Sequence, residues 1–270
     1  MMHLSDYLCR IHYAGPTEPT YAVLRDVHRA HLLAISYENL DIHLGRPLSL
    51  EIAAIYDKIV RRRRGGWCFE MNGLLAWALR EIGFEVQLVG STVNHGRMSS
   101  SARDDHLVLL VKLDQMYVAD AGFGNAFLDP LPLAEGEHVQ NGFHFRLTRE
   151  GAFWIFHNHA FGGAGYEFNV APRRIDEFAE RCAWLQTSPE SGFVRMTVCH
   201  RFTPAGYLTL RGCVLQTVSP SAVQSRTIED IHDYRAVLRD QFDLDLGIDI
   251  DQLWPRVQAG HQAWLRANQT

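Results

Sequence analysis

The chain is organised around the sequence RGGWCFEMNG, residues 64–73. Its two glycines allow the backbone to turn tightly, and a cysteine follows where a helix is predicted to begin. Apolar residues then recur at helical spacing up to Ile82, and Gly83 is a typical C-terminal stop. Cys68 therefore lies in the first helical turn, where the positive end of the helix dipole favours the nucleophilic thiolate. Buried cysteines usually fill space, so this pattern alone makes Cys68 only a candidate nucleophile.

Two further candidate residues lie on a predicted pair of strands. His106 begins one apolar run and Asp120 ends the next, with a polar turn between the runs. A two-residue loop would point these side chains to opposite faces, because side chains alternate along a strand. A three-residue loop at 113–115, or a bulge, places Val108 opposite Asp120 and puts His106 diagonally across on the same face, about 7–8 Å away. Together with Cys68 they would form a Cys-His-Asp triad, which activates a thiol nucleophile.

Five segments of the chain carry recognisable motifs. They are YENL (37–40), RGGWCFEMN (64–72), DHL (105–107), DAGFG (120–124) and QTSP (186–189). In this order, and over nearly the whole chain, they resemble the arylamine N-acetyltransferase family. The resemblance implies that Cys68 is the acylated nucleophile, His106 the base and Asp120 its partner. It also suggests that Arg64 pairs with Glu38.

The position before the candidate histidine departs from the family pattern. The residue before the histidine is often a small hydroxylated one in the family, and here it is Asp105. This position lies near where substrates are expected to bind. The departure therefore bears on substrate choice more than on the chemistry of the triad.

Changes in the hydrophobic period predict an α+β fold of three parts. We expect a helical bundle at 1–84 that carries the nucleophile, an antiparallel β-barrel at 85–190 that carries the histidine and aspartate, and an α/β lid at 191–270, around a cysteine-protease-like Cys-His-Asp core. The predicted strands of the barrel are 85–90, 106–113, 116–120, 143–148 and 152–157. In the lid, strands are predicted at 194–198 and 207–215, and helices at 227–246 and 251–267.

Composition narrows the classes of partner. The chain has 270 residues, 47% of them hydrophobic and 21% charged, which is ordinary for a folded protein with a substantial core. Its net charge of −5 argues against nucleic acid or an anionic membrane as the main partner. No run approaches the ~18 apolar residues of a membrane span. The five scattered cysteines, without a C-x-x-C pair, indicate reduced thiols and predict a cytoplasmic protein.

Sequence motifs for nucleotides, metals and nucleic acids are weak or absent. The chain has no phosphate-binding G-x-x-x-x-G-K-[ST] loop and no G-x-G-x-x-G after a strand, so neither nucleotide hydrolysis nor a dinucleotide cofactor is predicted. His157 and His159 share a strand face, but no third ligand accompanies them, and no metal site is predicted. In the run of arginines at 61–64, the first three are interpreted as solvated residues at a helix end rather than a nucleic-acid site.

The resemblance implies a ping-pong acetyl transfer. Acetyl-CoA, a co-substrate rather than a permanently bound cofactor, would acetylate Cys68, and an arylamine, hydrazine or N-hydroxyarylamine would then take the acetyl group. We expect Phe123 and Gly124, together with Tyr37 and Phe202, to bind the substrate through an apolar wall that suits an aryl ring.

Three alternatives remain at this point. An amide synthase of the same family would act on a tethered polyketide thioester. A cysteine hydrolase or transglutaminase would use the same triad with water or a peptide lysine as acceptor. A non-catalytic binding module is disfavoured, because it would not need all three triad residues.

Overall fold

Helices predominate at the two ends of the chain, and strands predominate in its middle. The computed structural model describes residues 1–93, 104–163 and 165–267. The helices are α1 (Leu4–Arg10), α2 (Tyr21–Ala34), α3 (Leu40–His43), α4 (Ile52–Tyr56), α5 (Cys68–Ile82), α6 (Ala179–Thr187), α7 (Gly192–Arg195), α8 (Ile231–Phe242) and α9 (Asp249–Ala267), with a π-helical turn at Asp57–Arg61 and a 3₁₀ turn at Ile175–Phe178. Of the helices within the described ranges, none combines the length and the apolar character needed to cross a membrane.

The strands form two antiparallel sheets. They are β1 (Tyr37–Glu38), β2 (Glu85–Val93), β3 (His106–Lys112), β4 (Met116–Ala119), β5 (Leu131–Pro132), β6 (Gly136–Gln140), β7 (Phe143–Glu150), β8 (Phe153–His157), β9 (Tyr166–Asn169), β10 (Val198–Thr203), β11 (Gly206–Arg211), β12 (Val214–Val218) and β13 (Val223–Thr227). Eight of them, in the order β5-β4-β3-β2-β9-β8-β7-β6, curve into a nearly closed barrel. The other five follow the order β1-β10-β11-β12-β13. The predicted α+β fold class is confirmed.

The central helix α5 begins and ends where its sequence predicts. The carboxylate of Glu70 accepts a hydrogen bond from the backbone N–H of Trp67 (3.2 Å), which satisfies a donor at the start of the helix. At the other end Gly83 adopts a left-handed conformation with φ of 107°. In the turn before the helix, a Cβ atom at Gly65 would collide with the backbone oxygen of Ser36. The glycine is therefore required by close packing of two backbone segments.

The hairpin of β3 and β4 has the predicted three-residue loop. Lys112 pairs with Met116 and Leu109 pairs with Ala119, so residue 108 faces residue 120 when this register is continued. Each of the five predicted barrel strands is present with slightly different bounds, whereas β5, β6 and β9 were not predicted. The register brings His106 and Asp120 to one side of the sheet.

The five-stranded sheet joins distant parts of the chain. Strand β1, which comes from the predicted helical bundle, pairs with β10, so that Tyr37 faces His200 and Glu38 faces Cys199. The division of the chain at residues 84 and 190 stays a prediction. The helices α8 and α9 cover one face of this sheet with a separate hydrophobic cluster. The opposite face is left to form one wall of a cavity.

The predicted strand at 207–215 is two strands, since β11 ends at Arg211 and β12 begins at Val214. Two further predictions in the C-terminal part need correction. The predicted strand at 194–198 is largely the short helix α7, because the hydroxyl of Ser191 caps its N-terminus, and pairing begins only at the first residue of β10. The predicted helix at 227–246 is shorter, since Asp230 caps its start and Asp243 ends it in a left-handed conformation with φ of 54°. In both places the capping residue sets where the helix begins, which the apolar pattern alone does not determine.

A cluster of five buried charged side chains surrounds the turn before α5. Lys58 Nζ lies 2.8 Å from Glu70 Oε2 and 3.2 Å from Asp41 Oδ2. Arg64 Nη2 lies 2.9 Å from Glu38 Oε1 and 3.0 Å from Asp41 Oδ1, so the expected Arg64–Glu38 pair is confirmed. None of these side chains is more than 8% exposed. Each carboxylate therefore depends on these cations for charge compensation.

We expect Lys58→Met to destabilise the protein strongly. The substitution leaves two buried carboxylates, Glu70 and Asp41, without their shared cation, and such a loss costs about 3–5 kcal/mol of unfolding free energy. Urea denaturation followed by circular dichroism measures the change. The control is Arg62→Ala, because Arg62 pairs with Asp57 at 3.0 Å and both side chains are about half exposed. That variant should lose less than about 1 kcal/mol, and equal losses in the two variants would contradict the expectation.

Candidate active site

A cavity of about 690 Å³ lies where α5 and the two sheets meet. Cys68 at the start of α5 and His106 at the start of β3 both line it. On the opposite side the wall is the uncovered face of the five-stranded sheet. His200 and Gln216 each pair with Thr209 across neighbouring strands, and all three line the cavity. The candidate nucleophile and base therefore share one solvent-connected space.

The base and its carboxylate are in direct contact. His106 Nε2 lies 2.8 Å from Asp120 Oδ2, and neither side chain is more than 3% exposed. The other oxygen, Asp120 Oδ1, accepts hydrogen bonds from Asn72 Nδ2 (2.8 Å) and from the backbone N–H of Gly122 (2.9 Å). Burial favours the neutral form of Asp120, but His106 and these donors outweigh it and lower the pKa of the carboxyl. Asp120 is therefore suited to stabilise a cationic imidazole.

Cys68 lies in a less favourable environment for a lone thiolate. It is 2% exposed, and burial raises the pKa of its thiol, with Cys182 and Asp105 adding to the increase. The backbone N–H of Phe69 acts in the opposite direction, as expected for the first turn of a helix. Because burial is the larger effect, a thiolate at Cys68 needs a cationic partner, and His106, which lines the same cavity, is the candidate for it.

Two residues of the site occupy positions that sequence reasoning did not select. Asn72 donates to the backbone oxygen of Leu107 (2.5 Å), in addition to Asp120, and its own Oδ1 accepts from the N–H of Ala121 (2.8 Å). A Cβ atom on Gly122 would lie 2.7 Å from the backbone oxygen of Cys68 and 2.6 Å from Asn72 Nδ2. The available signal was the position of Asn72 one helical turn after Cys68, on the face that meets the barrel.

Asp105 is part of a charged patch on the cavity wall. Its Oδ1 accepts a hydrogen bond from the N–H of Val93 (2.9 Å), and its Oδ2 lies 3.9 Å from Arg181 Nη2. The guanidinium of Arg181 lies over the ring of Trp184, 4.3 Å from its centroid. Burial raises the pKa of the Asp105 carboxyl. The departure noticed in the sequence thus places an acidic group near the candidate nucleophile.

Aromatic side chains make up much of the cavity wall. Tyr37 and Phe123 line it, whereas Gly124 and Phe202, although both are described, are not part of its lining. Gly124 instead packs against His200, whose ring would lie 2.7 Å from an added Cβ atom. Four further aromatic residues that the sequence did not single out also line the cavity: Phe161, Trp184, Phe193 and Tyr207. The space is therefore suited to a flat apolar group.

Comparisons with known proteins find both similar sequences and similar structures. An N-acetyltransferase family model matches residues 20–250. The pineal gland isozyme NAT-3 of arylamine N-acetyltransferase from Gallus gallus is 35% identical, with 91% of this chain and 95% of that protein covered. Arylamine N-acetyltransferase 1 from Homo sapiens is 35% identical, with 79% and 82% covered. The solved structure of Mycobacterium marinum arylamine N-acetyltransferase in complex with CoA has a TM-score of 0.87 at 30% identity, with 94% and 98% covered.

We expect Asp120→Asn to slow alkylation of Cys68 by iodoacetamide at neutral pH. The amide is isosteric but carries no charge to stabilise the imidazolium, and it favours the wrong imidazole tautomer, so the loss should be on the order of 10²-fold or more. Mass spectrometry of the labelled peptide follows the rate.

The matched control is Asp105→Asn. Because the charge of Asp105 raises the pKa of Cys68, its removal should leave the alkylation rate unchanged or increase it. A near-normal rate in Asp120→Asn, in a protein that melts at the usual temperature, would assign Asp120 a structural role only.

Proposed function

The chain belongs to the arylamine N-acetyltransferase family and is an acetyl-CoA-dependent acyltransferase, and we propose that it works by a ping-pong reaction through an acetyl-cysteine at Cys68. The main support is geometric. Cys68 and His106 line the same cavity, and the 2.8 Å contact of His106 with Asp120 completes a triad. The acceptors that fit best are small arylamines and hydrazines, because the cavity wall is rich in aromatic side chains.

The first half-reaction transfers the acetyl group to the enzyme. Asp120 holds Nε2 of His106, which leaves Nδ1 to take the proton of the Cys68 thiol. The thiolate attacks the thioester carbonyl of acetyl-CoA, and the carbon–sulfur bond to CoA breaks. The departing CoA sulfur takes the proton from the imidazolium, so that His106 returns to its neutral form.

The second half-reaction transfers the acetyl group to the acceptor and frees Cys68. The amine nitrogen of the acceptor attacks the acetyl-cysteine, and His106 removes a proton from that nitrogen. The bond between the Cys68 sulfur and the acetyl carbon breaks, and the thiolate is regenerated beside the imidazolium. Aromatic side chains around the cavity favour an aryl ring over water at this stage.

The thiol inventory supports a proposed location in the cytoplasm. All five cysteines are free, and four of them, Cys68 among them, are buried. A reducing compartment keeps such thiols unpaired and keeps the proposed nucleophile active.

We predict that acetyl-CoA without an amine adds one acetyl group to Cys68 alone. Cys182 is the informative comparison, because it is also buried and burial raises the pKa of its thiol to about 12. The proposed mechanism gives Cys182 no catalytic base. Cys9, which is exposed, reports on non-specific acetylation. Mass spectrometry of the intact protein and its peptides locates the group. Acetylation at Cys9 or Cys182 instead of Cys68, or labelling that persists in Cys68→Ser, would contradict the assignment.

We also predict that CoA release from acetyl-CoA is slow alone and orders of magnitude faster with an anisidine or with hydralazine. The acetyl-cysteine should persist until an acceptor that fits the aromatic cavity binds. A thiol-release assay measures the rate, and varied concentrations of both substrates should give parallel double-reciprocal lines.

Each other outcome points to a different enzyme. Fast release without amine indicates a hydrolase, and release stimulated only by peptide lysines indicates a transglutaminase. No release while Cys68 can still be alkylated indicates an amide synthase that acts on a tethered thioester.

A further inference from the structure

A second buried histidine contacts the segment that carries Asp120. His28 on α2 is fully buried, and its Nε2 accepts a hydrogen bond from the backbone N–H of Asp120 (3.0 Å). Its Nδ1 lies 2.9 Å from the backbone oxygen of Leu128. The ring also stacks on Phe127, with centroids 6.0 Å apart and an interplanar angle of 13°. One side chain of α2 therefore contacts both ends of the segment 120–128.

This segment needs an external support. Strand β4 ends at Ala119 and β5 begins at Leu131, and no helix or strand lies between them. Asp120 is thus the first residue beyond the ladder of β4, and its N–H finds its partner in His28 instead of a neighbouring strand. The same segment carries Phe123, which lines the cavity.

The two hydrogen bonds define one state of His28. A backbone N–H can only donate, so Nε2 must present its lone pair to Asp120. A backbone carbonyl can only accept, so Nδ1 must carry the proton and donate to Leu128. His28 is therefore neutral in a single tautomer, and burial, which lowers the pKa of His28, agrees with this state.

We infer that His28 is a positioning residue for acyl transfer: it fastens both ends of segment 120–128 to α2 and so holds Asp120 in contact with His106. The inference rests on the proposed role of the triad. His28 touches no substrate and acts through the backbone of Asp120. The neighbouring residue strengthens the attachment, since Arg29 on α2 donates to both carboxylate oxygens of Asp129 at 2.9 Å and 2.7 Å.

The chain supplies a matched control one turn further along α2. His31 is also fully buried, and its Nδ1 is hydrogen-bonded to the hydroxyl of Tyr7 at 2.9 Å. Burial lowers its pKa to about 3, so it too is neutral. Its hydrogen bond leads to α1 and away from Asp120. His31→Leu therefore removes a buried histidine of equal size without disturbing the triad.

Two substitutions test the contacts of the two ring nitrogens of His28 one at a time. His28→Gln keeps an acceptor near the position of Nε2 and can still receive the N–H of Asp120. His28→Asn keeps a donor near the position of Nδ1 and can still bind the Leu128 carbonyl, but it offers nothing to Asp120. His28→Leu removes both contacts at similar volume.

The experiment compares these four variants with the wild type. It measures the alkylation rate of Cys68 by iodoacetamide at neutral pH, the kcat and KM of amine acetylation, and the melting temperature. We expect His28→Leu and His28→Asn to lower both the alkylation rate and kcat about tenfold or more, with KM little changed, because Asp120 shifts from its contact with His106. His28→Gln should stay within about threefold of the wild type. His31→Leu should lower the melting temperature while its alkylation rate and kcat stay normal.

Either of two results overturns the inference. Equal loss of stability in His28→Leu and His31→Leu, with normal alkylation and normal kcat in both, makes His28 a packing residue. Higher activity in His28→Asn than in His28→Gln shows that activity depends on the hydrogen bond to Leu128 and not on the hydrogen bond to Asp120. The alkylation rate needs no acyl donor, so it tests His28 even if the wild type acetylates no amine.

Discussion

The buried ion pair between Lys58 and Glu70 fixes the start of α5, the helix that carries the proposed nucleophile. Glu70 also accepts the N–H of Trp67, so one carboxylate both caps α5 and compensates the charge of Lys58. Asp41 links this pair to Arg64 and so to the turn at the two glycines. With its N-terminus held in this way, α5 presents Cys68 inside the protein and not at its surface. The cavity, the barrel and the uncovered sheet face are arranged around that point.

The three residues of the proposed triad come from different parts of the fold. Cys68 belongs to a helix with a strong local signal, and His106 belongs to a strand whose ladder fixes its register. Asp120 has neither advantage, because it follows the last paired residue of β4. Its position depends on side chains brought from elsewhere, Asn72 from α5 and His28 from α2. Asp120, which lies outside any strand, is therefore held by contacts from distant parts of the chain.

This difference explains what the sequence could predict. The bounds of α5 and the hairpin loop before Asp120 follow from local rules, namely capping, glycine conformations and the alternation of strand side chains. The pairing of β1 with β10 joins Tyr37 to His200, and no local rule covers such a separation. His28 shows the same limit: its spacing matches the apolar face of α2, and only the fold reveals that Asp120 lies against it.

Burial of Cys68, the proposed nucleophile, excludes water from the sulfur, and this has two consequences. Removal of water raises the pKa of the Cys68 thiol, which is why the proposed mechanism requires His106 to take up the proton. The same buried, aromatic surroundings would keep water from the proposed acetyl group on that sulfur. A site with an exposed, freely ionised thiol would react sooner with an acyl donor but would also lose the acyl group to hydrolysis. A buried thiol that depends on a correctly held imidazole suits a transferase, because both attack and release then require a partner that fills the cavity.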